Sequence, residues 1–196
     1  MSNNENTQAL KKIMHSAGIA FAFIIINSIF IFLFKVVSAR FFGPENFGLF
    51  DFSKTIINFF SYVALFGIGV GITRYVPVYL SKKEYSKLNG YIFFVKAVPF
   101  ILSIIIAIII FSSSSIISSF FEFPLIFQRM LQVGAFFIPI ITLSKIFCNF
   151  LFAFKKVIPA YTSIYLLNSV LPFIGVVIIY LLKLKIMFLL LFYLLS

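Results

Sequence analysis

Three polar side chains, Thr142, Lys145 and Asn149, fall at i, i+3 and i+7 within the apolar run Leu131–Phe154. On a helix that spacing makes a single stripe. An ammonium about a dozen residues into a membrane helix costs at least about 2.5–3.5 kcal/mol. The stripe is therefore expected to face a wet cavity inside a bundle. The alternatives for Lys145 are snorkelling to the interface or bonding a carbonyl of a neighbouring helix. Lys35 stands near the end of an earlier apolar run, and Arg40 and Lys54 flank a polar connector. Arg74 follows a glycine-rich stretch, and Lys96 opens a third run. Asn27, Asn58 and Asn168 add amides in three different runs, suited to helix–helix hydrogen bonds or to lining the same cavity. Charge pairing and hydrogen bonding are the chemistry open to this set.

Hydrolytic or transfer chemistry needs convergent acids, bases or metal ligands, and the chain offers none. Glu5, Glu45, Asp51, Glu84 and Glu122 fall outside the apolar runs or at their edges. His15 has no neighbour suited to sharing a metal, and the single Cys148 excludes an internal disulfide and a thiolate cluster. No metal, cofactor or enzymatic activity is expected. "GIGVG" at Gly67–Gly71 is not a dinucleotide fingerprint; Gly67 and Gly71, four apart, predict a smooth face for close helix packing. Pro99, Pro139 and Pro172 interrupt membrane runs and each frees a carbonyl, either as bending points of a transporter or as plain kinks.

The elements that must hold these residues are membrane helices. Hydrophobic residues make up 62% of the 196 and charged ones 11%, against about 45–50% and about 25% in a soluble domain. Mean hydropathy is +1.14. That much apolar surface has no polar shell to cover it in water. A bilayer core needs about 20 apolar helical residues, and the chain reads as one transmembrane domain over 1–196. It has five complete spans, Ala17–Val37, Phe52–Ile72, Tyr91–Phe111, Leu131–Phe154 and Ala160–Leu182, and a truncated sixth, Ile186–Leu195. The polar, then basic, then apolar start reads as a retained first helix rather than a signal peptide, because its apolar run is too long and lacks a cleavage site. "FSSSSIISSFFEFPLIFQRM" reads as an extracytoplasmic loop.

A net charge of +11 would ordinarily point to nucleic acid. Here the basic residues sit at the ends of apolar runs, which suits anionic lipid headgroups instead. With the N-terminus inside, eight basic residues lie on the cytoplasmic side and four (Arg40, Arg129, Lys183 and Lys185) outside, so this orientation is expected. Tyr75, Tyr79, Tyr85 and Tyr91 gather at the cytoplasmic face.

The stretch "SARFFGPENFGLFDFSKTIINFFSYVALFGIGVGITRYVPVYLSKKEYSKLNGY" resembles the first hairpin of Wzx-type polysaccharide flippases, members of the multidrug, oligosaccharidyl-lipid and polysaccharide exporter superfamily. Its marks are Arg40, Phe42-Gly43-Pro44, Phe47-Gly48, the glycine-rich end of helix two, Arg74-Tyr75, and the basic loop with Lys82, Lys83 and Tyr85. A second stretch, "FPLIFQRMLQVGAFFIPIITLSKIFCNFLFAFKKVIPAY", is similar to the fourth helix and following basic turn of the same family. The resemblance implies two pseudo-symmetric lobes working by alternating access, this chain supplying the N-terminal one. It implies flipping of an undecaprenyl-pyrophosphate-linked glycan across the cytoplasmic membrane. Lys145 and Lys35 would pair with the diphosphate, Arg40 would stand at the outer mouth and Arg74 at the cytoplasmic entrance, with Thr142 and Asn149 as polar lining. A C-terminal lobe or glycan polymerase machinery are the implied protein partners. Drug or metabolite efflux, and a non-transporting subunit or gene fragment, are the competing readings.

Overall fold

A single residue, Gly43, separates the first two helices. The computed structural model of the chain describes residues 2–154, 168–182 and 186–195, with side chains of the first helix described mainly from residue 21 on. The described helices are α1 (Ser2–Phe42), α2 (Pro44–Leu65), α3 (Ile68–Ser81), α4 (Tyr85–Phe120), α5 (Leu125–Ala153), α6 (Asn168–Leu181) and α7 (Ile186–Leu195). No strand occurs among the described residues.

The chain is all-α, and three helical stretches are long and apolar enough to cross a membrane: Phe21–Phe42, Tyr85–Phe120 and Leu125–Ala153. A fourth is formed if α2 and α3, bent by 43° at their break, count as one span. Residues 160–167 of the expected span Ala160–Leu182 lie outside the described residues, and α7 covers the same ten residues as the expected short segment.

The expected bounds give way wherever the backbone can stay helical through polar residues. Between Ser38 and Phe52 the turn shrinks to Gly43, held at φ 82° and ψ 150°, a combination open essentially to glycine alone. Pro44 then starts α2, where its missing N–H costs nothing. Asp51 consequently lies inside α2 rather than at its edge. The serine run is no loop: Ser112–Ser115, Ser118 and Ser119 continue α4. Their hydroxyls return to the helix, Ser114 donating to the Phe111 carbonyl at 2.8 Å and Ser119 to the Ser115 carbonyl at 2.9 Å. With donors satisfied internally, serine is tolerated where water is scarce.

At Phe66–Gly67 the opposite happens. Both residues take left-handed backbone, φ 47° and φ 72°, and the ladder of the expected span Phe52–Ile72 is cut in two. Gly67 is thus the cap before α3 and not part of a packing face. The close approaches belong to Gly69, whose missing Cβ leaves room for the Asn149 amide, and to Gly71, against the Tyr91 hydroxyl.

Small hydroxyl residues share the apolar core, and large apolar side chains line the outside. Ser38, Ser53, Ser61, Ser103, Ser114 and Thr142 are buried between helices, while Phe59, Phe93, Ile108, Ile116 and Phe136 face outward. Small residues let backbones approach, which is how helices adhere where lipid is as apolar as leucine. Gly134 is the tightest case: a Cβ there would run into the Ile57 side chain of α2.

Candidate functional site

Ring contacts fix the relative levels of the helices. Phe111 meets Phe136 at 5.6 Å and Lys96 approaches the Phe147 ring at 5.6 Å, so α4 and α5 are antiparallel and Lys145 stands level with Pro99, midway along α4. Phe52 stacks on Phe127 at 5.8 Å and Gly69 faces Asn149, so α2–α3 runs parallel to α5 and its break lies level with Lys145. One layer at the middle of the bundle therefore holds a lysine, a broken helix and a helix with an internal proline.

Within that layer Lys145 is half-buried and reaches across to α2. Its Nζ donates to the Asn58 carbonyl at 3.5 Å and lies 3.4 Å from the centre of the Tyr62 ring. A helical side chain leans toward the N-terminus, which carries the ammonium from the level of the break back toward Asn58. The ring face supplies a cation–π contact, worth about 2 kcal/mol or more when desolvated. Lys145 forms no ion pair among the described residues. Tyr62 is 64% exposed, so this contact lies at the outer side of the seam and not in its core.

The rest of the stripe faces the same seam. Asn149 Nδ2 donates to the Lys145 carbonyl at 2.8 Å while its amide lies over Gly69. Thr142 is fully buried and its hydroxyl donates to the Ile138 carbonyl at 2.8 Å, so it packs the interface and offers no free hydroxyl proton.

Lys35 belongs elsewhere. Near the Gly43 turn, Asp51 Oδ2 lies 3.5 Å from Lys35 Nζ and Asp51 Oδ1 lies 3.4 Å from Lys54 Nζ. Lys54 also sits 4.4 Å from the centre of the Tyr193 ring of α7. This carboxylate bridges two ammoniums and ties α1, α2 and α7 together. Asp51 and Asn58 are two turns of α2 apart, roughly 10 Å of helical rise, so Lys35 and Lys145 do not share a site. Arg40, exposed in the last turn of α1, is at the Gly43 end. Arg74 lies on α3 beyond the break, its guanidinium 5.8 Å from the Tyr75 ring, near a cluster of Tyr75, Tyr79 and Tyr91. The exposed Tyr85 contributes no described ring contact to that cluster. The side chain of Asn168 lies outside the described residues.

Sequence reasoning missed Asp51 as a partner within α2, Tyr62 as the ring under the ammonium, and the break itself. Only the break had a local signal, glycine at positions 67, 69 and 71, and apolar residues on both sides masked it. In comparison with known proteins, no family model, no curated protein and no solved structure matches this chain.

Proposed function

We propose that the chain is part of a membrane translocator for an anionic, lipid-linked substrate, of which a diphosphate-linked glycan is the chemical type that fits best. In this reading it resides in the cytoplasmic membrane as one lobe of a two-lobe exporter, N-terminus inside. The observation that carries it is Lys145: an ammonium at mid-bundle, beside a helix break, with a carbonyl and a ring for company and no carboxylate. Such a cation is only partly compensated. Phosphate oxygens can replace the long Asn58 contact with charge-assisted bonds of about twice the strength of neutral ones. A lysine suits the task because its flexible stem can follow a moving anion. The 43° bend at Phe66–Gly67 supplies a hinge at the same level, so that α2 and α3 can swing separately while the lipid tail stays in the bilayer.

Export of cations is the less apt reading. It needs a carboxylate open to a ligand, and Asp51 is already shared by Lys35 and Lys54.

The test is translocation in proteoliposomes carrying a fluorescent undecaprenyl-diphosphate-linked oligosaccharide. Reconstituted with the lobe that completes the exporter, the chain should speed its crossing, Lys145→Met should cut the rate at least about tenfold, the scale of one hydrogen bond to a charged group, and Lys145→Arg should retain most of it. Equal rates for wild type and Lys145→Met, or transport of a cationic dye in place of the anion, would overturn the reading.

A further inference from the structure

We propose that the outer face of the α4–α5 pair binds an anionic glycerophospholipid, its acyl chain in an apolar groove and its phosphate beside Arg129. The groove, about 310 Å³, runs between Ile104, Ala107, Ile108 and Phe111 of α4 and Phe136 and Pro139 of α5. Phe111 and Phe136 meet edge-on at its end nearest the 121–124 turn and are exposed to the outside.

Both walls turn polar beyond that rim, on the same faces. Ser115 follows Phe111 by four residues; Gln132 and Arg129 precede Phe136 by four and seven. These are the spacings that keep side chains on one helix face. Because Phe111 lies opposite Phe136 on antiparallel helices, Ser115 stands opposite Gln132, and Arg129 comes level with Ser118. Arg129 and Ser115 are exposed and Gln132 is half-buried. Among the described hydrogen bonds and ion pairs, none engages the side chain of Ser115, Gln132 or Arg129. Glu122, the acid nearest in sequence, forms no ion pair with Arg129 there.

A guanidinium with an amide and a hydroxyl on the same face matches a phosphodiester, which it can bind in bidentate fashion. From Arg129 to Pro139 is ten residues, about 15 Å of rise, long enough to hold the upper part of one acyl chain. A single amphiphile meets both halves at once, whereas a helix of a second copy would cover the groove and leave Arg129 facing apolar surface. The proposal does not depend on Lys145.

Native mass spectrometry of the full chain in detergent tests it, with phosphatidylglycerol and phosphatidylcholine of matched chains as probes. Phosphatidylglycerol should be retained at least about tenfold better, the scale of one hydrogen bond to a charged group. Arg129→Gln should erase that preference, Arg129→Lys should keep part of it, and Ala107→Phe, which fills the groove, should weaken both lipids alike. If Arg129→Gln does not fold, the other two variants decide. Equal retention of the two lipids by the wild type overturns the proposal. So does a preference surviving Arg129→Gln, release of phosphatidylglycerol by millimolar inorganic phosphate, or Ala107→Phe dissociating a dimer without releasing lipid.

Discussion

Two regions of this bundle carry lysine within helices and treat it in opposite ways. Near the Gly43 turn, Lys35 and Lys54 share the Asp51 carboxylate, and Lys54 is roofed by Tyr193. At mid-bundle, Lys145 has the Asn58 carbonyl and the Tyr62 ring, neither of which cancels a charge. The first arrangement is a clasp, in which one carboxylate is shared by two ammoniums. The second holds a cation in place while leaving its charge to be answered from outside. What separates the two arrangements is whether a carboxylate stands beside the ammonium.

The largest effect tests what holds the mid-bundle layer in register. Gly134→Val should push Ile57 off the α2–α5 seam and cost about 3 kcal/mol by overpacking, read as a lower midpoint of thermal unfolding in detergent. Adding Ile57→Ala should recover part of the loss, and no recovery would mean that the seam is not where the strain arises. Next comes the turn beneath the clasp. Gly43→Ala forces a Cβ onto φ 82° and ψ 150° and should cost about 2 kcal/mol, with α1 and α2 losing their mutual contact first in hydrogen exchange.

The charges themselves come third. Asp51→Asn leaves Lys35 and Lys54 facing each other, but the carboxylate is partly exposed, so the loss should be about 1 kcal/mol and shrink with added salt. Smallest should be Lys145→Met, which removes a membrane-level ammonium and keeps its volume; stability should hold or rise slightly. A marked fall would turn the mid-bundle lysine into a second clasp and erase the contrast.

Much of this was legible in the sequence. Helical membrane character follows from composition, the Gly43-Pro44 pair announced a turn, and the short apolar segment Ile186–Leu195 is the observed α7. The depth of Lys145 and the stripe with Asn149 could be read from spacing alone. Other features are tertiary in origin. Polarity makes Ser112–Ser115 read as a solvated loop, yet hydroxyls that bond their own helix need no water. Asp51 looked peripheral because α2 begins at Pro44, further back than its apolar residues indicate. Lys35 and Lys145 read as joint candidates because both lie within apolar runs, and only the tertiary pairings, Lys35 with Asp51 and Lys145 with Asn58, set them on different levels. The break at Phe66–Gly67 depends on two left-handed residues in an unbroken apolar run, where periodicity carries no mark of a stop.

The contrast between the two lysines is tested most directly by binding of radiolabelled undecaprenyl diphosphate to the purified chain. The account predicts that Lys145→Met weakens binding at least about tenfold, the scale of one hydrogen bond to a charged group, while Lys145→Arg and Lys35→Met bind like the wild type. Undiminished binding by Lys145→Met, or a loss as large from Lys35→Met, would contradict it.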